Sequence, residues 1–190
     1  METNKWIRIV NDGGCEISLK DINFKNGKQL ELLDIIEVPV KGKEPLNYQP
    51  ENYLLNNQYC WDYLGKTDYY YLEKFLDKDS DYIFFDESDR LSKNQSGINK
   101  SLMLIKIKQI NFIVTKNIKQ NKQLRAKFNF NNRLYDLAVT DINYENKYLN
   151  KDFGEYVELD DFYLTLSLGE PFNNYHYKLI AAVIPESKYK

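Results

Sequence analysis

His176 is the only histidine in the chain, and Cys15 and Cys60 are the only cysteines. A Ser–His–Asp nucleophile would have to recruit that single imidazole, and a metal site ordinarily wants more than one nitrogen or sulfur ligand. Flanked by Tyr175 and Tyr177, His176 reads as a surface or edge residue at the start of a strand. Two thiols so far apart make neither a metal knuckle nor a disulfide framework. The eight glycines are scattered, no phosphate-cradling loop is present, and Gly13-Gly14 reads as a turn.

Carboxylates gather twice, at Asp86-Glu87-Asp89 and at Glu158-Asp160-Asp161. Clustered acids can hold the cations of a metal-dependent nuclease. Both groups lie in loop-like surroundings without a neighbouring lysine, so each reads as a solvated acidic face. No catalytic residue, cofactor or metal is expected, and the protein is not expected to be an enzyme.

Charge by segment says more. Residues 101–140 hold Lys106, Lys108, Lys116, Lys119, Lys122, Arg125, Lys127 and Arg133 against the single acid Asp136, a net +7. Residues 141–170 hold eight acids against Lys147 and Lys151, a net −6. A basic stretch of this kind is the footprint of phosphate contacts. It is equally the footprint of a solvated face built from a favoured residue. The chain has 22 Lys and 4 Arg, with 21 Asn and 16 Tyr, all but Arg drawn from AT-rich codons. Abundant tyrosine therefore argues nothing about base stacking; only tyrosine positions could.

The elements that must carry these residues are mostly strands. A polar stretch at 92–100, SKNQSGINK, separates two apolar halves. In the second half, 101–114 is a long strand whose alternation slips near Leu104-Ile105, where a bulge is expected. Residues 124–130 alternate Ala126, Phe128 and Phe130 against Arg125, Lys127 and Asn129. Asn131-Asn132 suits a two-residue hairpin. Tyr135, Leu137 and Val139 share a face of the next strand. A short helix within 143–149 with Asn143 as its cap, then strands at 162–168 and 176–184, complete the order of an OB-type barrel. Phe128, Phe130 and Tyr135 are the stacking candidates, although their alternation also fits a barrel interior. The first half is less regular: strands at 6–10, 30–40, 52–55 and 81–85, and a helical pattern at 68–76.

Six segments together resemble a known family. WIRIV at 6–10, LLDIIEVPV at 32–40, QPENYLL at 49–55, LAVTD at 137–141, SLGEPF at 167–172 and YKLIAAVI at 177–184 are similar, in order and spacing, to the dual OB-containing domain. That bacterial family has two OB-like barrels, is found among predicted antiviral or conflict systems, and is thought to bind nucleic acid. The resemblance covers nearly the whole chain and draws attention to Trp6, Arg8, Glu51, Asn52, Trp61, Thr140, Asp141, Ser167 and Glu170. Trp6 and Trp61 also read as core, Asn52 and Asp141 as turn residues, and 167–170 as a barrel-closing turn. Two departures fall early: only five residues precede Trp6, where family members carry a strand and a Gly-rich turn, and Ile9 stands where they favour Pro. A first barrel lacking its N-terminal strand is therefore expected.

The expected architecture is mainly β with short helices, two small OB-like barrels packed together, spanning 1–95 and 96–190. The leading expectation for function is a non-enzymatic nucleic-acid-binding module of a bacterial or phage conflict system, taking single-stranded DNA or RNA. A protein-interaction or small-ligand and nucleotide-sensing module, with a protein partner, is the alternative. Residues 1–5 lack the apolar core of a signal peptide and no run suits a membrane span, so a cytoplasmic protein with no membrane partner is expected.

Overall fold

A computed structural model describes residues 5–25 and 27–189. Residues 1–4, read above for a signal-peptide core, lie outside the described residues. The fold is mainly strands with few short helices. By their contacts the residues divide into one compact unit of 1–73 with 98–100 and another of 74–97 with 101–190. Segment 74–95, which the expected cut at 95/96 assigns to the first half, thus packs with the second unit.

The second unit holds a five-stranded barrel. Its strands are β7 (Leu102–Lys116), β8 (Lys122–Phe130), β9 (Arg133–Val139), β10 (Gly154–Phe172) and β11 (Tyr175–Pro185), with α1 (Ile142–Tyr148) between β9 and β10. Neighbours run β10-β7-β8-β9-β11, and β10 also pairs with β11, which closes the sheet on itself. The β9–β11 pairing is parallel and the others antiparallel. Strand order 1-2-3-5-4 with a helix after strand 3 is the OB topology. Leu124, Ala126 and Phe128 of β8 and Tyr135, Leu137 and Val139 of β9 point inward, as their alternation dictates. Phe128 and Tyr135 stack on each other at 5.8 Å in the interior, so they are not available to a ligand.

Three local expectations shift. The slip in β7 falls at Lys108-Gln109, not at Leu104-Ile105: Met103, Ile105 and Ile107 face the core, then two exposed residues, then Ile110, Phe112 and Val114. On the partner strand β10 the register jumps between Leu159 and Phe162, directly opposite. The α1 cap is Asp141, whose Oδ1 accepts from Asn143 N at 2.8 Å and Tyr144 N at 3.2 Å. Residues 81–85 are not a strand; Ile83 is a fully buried plug whose N–H donates to Tyr135 Oη at 3.1 Å. Asn131-Asn132 turns the β8–β9 hairpin with both φ positive, and Asn173-Asn174 does the same between β10 and β11.

The first unit has shorter ladders. β1 (Arg8–Val10), β4 (Asn52–Leu55) and β3 (Val40–Lys43) form one sheet, and β2 (Asp34–Glu37) with β5 (Asp62–Lys66) forms another. The long strand expected at 30–40 is interrupted, with Leu33 at φ 69°. The helical pattern at 68–76 becomes a 3-10 helix, Tyr69–Lys74. Gly13 and Gly14 form the expected turn; a Cβ on Gly14 would lie 2.7 Å from Leu46 Cδ1. Phe24, Leu55 and Trp61 are the core cluster, with Trp61 edge-on to Phe24.

Candidate functional site

In an OB barrel, strands 2 and 3 and the loops joining strands 1–2 and 4–5 form the ligand face. Here these are β8, β9, the 117–121 loop and the Asn173-Asn174 hairpin. Between them lies an open groove of about 590 Å³. The end of β7 contributes Lys116 and the 1–2 loop Lys119, β8 contributes Gln123 and Arg125, and the 4–5 side contributes Phe172 and Tyr177. Arg90, at the start of β6 (Arg90–Ser92), an extra strand paired to β11, reaches in from that side. Its guanidinium lies 5.3 Å from the Tyr175 ring and 5.1 Å from the Tyr177 ring. Phe172 is more than half exposed. The groove thus combines cations with aromatic faces, the pairing that holds phosphates and stacks bases.

The eight cations of the basic segment separate into two sets. Arg125 binds Asp136 Oδ1 at 2.6 Å and lies 3.6 Å from Asp89. Arg133 binds Glu87 at 3.0 Å and sits 4.1 Å over the Tyr82 ring; its hydrogen bond to Tyr82 raises it above its ordinary range. Lys122 donates to the carbonyls of Leu149 and Lys151 at 3.1 and 2.7 Å. Lys106 donates to Tyr163 Oη at 3.2 Å and lies 3.7 Å from Asp161. Lys108, Lys116, Lys119 and Lys127 have no carboxylate partner among the described residues.

The acidic clusters resolve into pairs. Asp86 accepts from Lys178, Glu87 from Arg133, and Asp89 from Arg90. Lys178 is almost wholly buried; burial pulls its pKa below the ordinary lysine range against the Asp86 hydrogen bond. Burial acts to raise Asp86, yet hydrogen bonds from Lys178 and Ser88 outweigh it and hold the carboxyl below its usual range. Glu158 takes Lys147 and the Tyr148 hydroxyl, and Asp160 takes Ser187. His176 is buried, not a surface residue, and its Nδ1 lies 3.1 Å from Gly169 O, which accepts from it.

The residues of the family resemblance are chiefly architectural. Arg8 pairs in register with Asn52 across β1 and β4, and its N–H donates to Glu51 O at 2.9 Å. Burial lowers the Arg8 pKa, opposed by the charge of Glu51. Asn52 is fully buried and donates to Gln49 Oε1 at 3.2 Å. Trp61 is core and Trp6 half-buried. Asp141 caps α1 with one oxygen and accepts Val183 N at 2.8 Å with the other, tying the helix to β11. Thr140 N donates to Ile180 O, Ser167 is buried on β10, and Glu170 is exposed. Arg90, Phe172 and Tyr177 were not singled out from sequence, although the 4–5 loop of an OB barrel is the place to look for such residues.

A closed 1-2-3-5-4 barrel with a groove between its 1–2 and 4–5 loops defines an OB-fold protein. The chain belongs to the dual OB-containing domain family, whose match spans residues 1–183. No curated protein and no solved structure matches it.

Proposed function

We propose that the protein is a non-enzymatic module that binds single-stranded nucleic acid in the groove of its second unit. Phosphates meet Lys116 and Lys119, and one base stacks on Phe172 or Tyr177. The observation that carries this reading is the placement of Lys119, and of Lys116 with its ammonium 5.8 Å over the Phe153 ring, near the exposed Phe172 and the half-buried Tyr177, between the two loops that form the ligand site of an OB barrel. Both acidic clusters are engaged by named partners, which favours binding over hydrolysis. A role in a bacterial or phage conflict system is the setting the family resemblance suggests, and the genes flanking this one would test it.

Titration of labelled single-stranded DNA and RNA at low salt tests the binding. Wild type binds with affinity falling as salt rises, because phosphate contacts release counterions. Lys116→Glu/Lys119→Glu weakens binding to every sequence. Equal binding by both proteins, or binding by neither, overturns the reading. A protein partner is favoured by a different feature: among the described residues, Gly154–Leu159 of β10 pairs on one side only, with β7, and exposes Val157 and Leu159. An unpaired strand edge can take a partner's strand. Failure of nucleic acid to bind would move the weight to that edge.

A further inference from the structure

We propose that the same barrel carries a second phosphate subsite, and that the two form one track for an extended single strand. This rests on the groove reading above and extends it. The ladder between β7 and β8 begins at Asn111–Lys127 and continues to Lys116–Lys122. Before Asn111, β7 pairs with β10 but not with β8, while β8 continues to Phe130 paired with β9. The two strands therefore part where β7 slips at Lys108-Gln109. The parting opens a cavity of about 520 Å³.

Its lining is polar and basic. Among the described residues, Lys108 and Lys127 are two of the four cations of the basic segment whose side chains make neither a hydrogen bond nor an ion pair, and the remaining two, Lys116 and Lys119, line the groove. Gln109, Asn111 and Asn129 supply amides, with Asn111 held by Glu155 at 2.8 Å. Leu134, well exposed, supplies an apolar surface. These four charges, which make no hydrogen bond or ion pair, are thus divided between two concavities, with Lys116 also 5.8 Å over the Phe153 ring. Both open on the outward face of β8, where Gln123 and Arg125 line the groove and Lys127 and Asn129 line the cavity. From Gln123 to Asn129 a strand rises roughly 20 Å. A single strand lying along it would meet Lys116 and Lys119 first and Lys127 and Lys108 last. Isolated ions would not need this spacing; a polyanion would.

The test is length dependence. Oligothymidylates of about four and about twelve nucleotides lie at the short end and well within the range of OB-fold site sizes. Each is titrated against wild type and Lys108→Gln/Lys127→Gln. Wild type binds the longer strand more tightly. The variant binds the shorter strand as wild type does and loses the gain from length. Two lost phosphate contacts flatten its log–log salt slope by about 1.4, so between 50 and 200 mM salt wild type loses roughly sevenfold more affinity than the variant. A wild type that binds both lengths equally, or a variant that keeps the gain and the slope, overturns the second subsite while the groove reading stands. A wild type that binds neither length overturns both. Coincident melting curves for the two proteins show that the change is not one of folding.

Discussion

The core cluster of the first unit is Phe24, Leu55 and Trp61, served by strands of three to five residues; that of the second runs through a closed barrel from Met103 to Val183, on strands of up to 19 residues. Polar groups occupy different places in the two. In the first, Gln49 and Asn52 are buried next to Arg8 and Glu51, beside a small apolar cluster. In the second, buried polar groups such as Asp141 and Lys178 tie a helix cap and the 86–89 loop to β11. Small cores lean on single large side chains, because little other burial offsets chain entropy. The larger barrel spreads the same cost over many residues and leaves its outer face open to specialise.

The largest effect that would break this comparison is at Trp61. Trp61→Ala removes the biggest member of a three-residue cluster and costs about 3–5 kcal/mol. Amide exchange should show protection lost at Asn52–Leu55 and kept at Lys122–Phe130. Leu137→Ala, from a fully buried barrel position, costs about 2–5 kcal/mol and lowers the melting temperature without abolishing β8 protection. Equal loss of protection in both units from either variant would contradict the contrast.

Asp141→Ala comes next. It removes a helix cap and strands the buried Val183 N–H, for about 2–3 kcal/mol together. Chemical denaturation measures it, and Asp141→Asn should recover part of the loss because an amide oxygen still accepts.

A smaller effect depends on pH. Asp86 in the folded protein sits below its ordinary pKa, so the unfolded chain takes up the proton first as pH falls. The stability Asp86 contributes is complete above the usual aspartate range and is lost as pH drops through the depressed value. Asp86→Asn should flatten that part of a stability–pH profile; an unchanged profile would show that the Lys178 pair carries no such linkage.

How much of this was legible in sequence follows the same contrast. Strands β8 and β9 alternate without a slip, so Ala126, Phe128, Tyr135 and Leu137 fit an interior face, with Phe128 and Tyr135 also open to stacking, and Asn131-Asn132 fits a hairpin. The second Asn-Asn pair carries the same signal and locates the 4–5 loop. The bulge was misplaced because Leu102–Ile105 is buried on both faces, which hides the alternation there. Residues 81–85 looked like a strand because Ile83 is apolar in a short run, and only the tertiary fold makes it a plug. In the first unit, ladders of three to five residues are too short for alternation to register. Charge counts found the basic segment but not its division. Arg125 and Arg133 are spent on Asp136 and Glu87, and the latter partner lies in a segment far off in sequence.

The most direct measurement is ultraviolet crosslinking of a photoreactive single strand to the full chain, followed by peptide mapping. Crosslinks at Phe172 or Tyr177, on peptides that also carry the ends of β10 and β11, are the predicted result. Crosslinks confined to residues 5–73, or none at a concentration where titration shows binding, would contradict the groove of the second unit as the site.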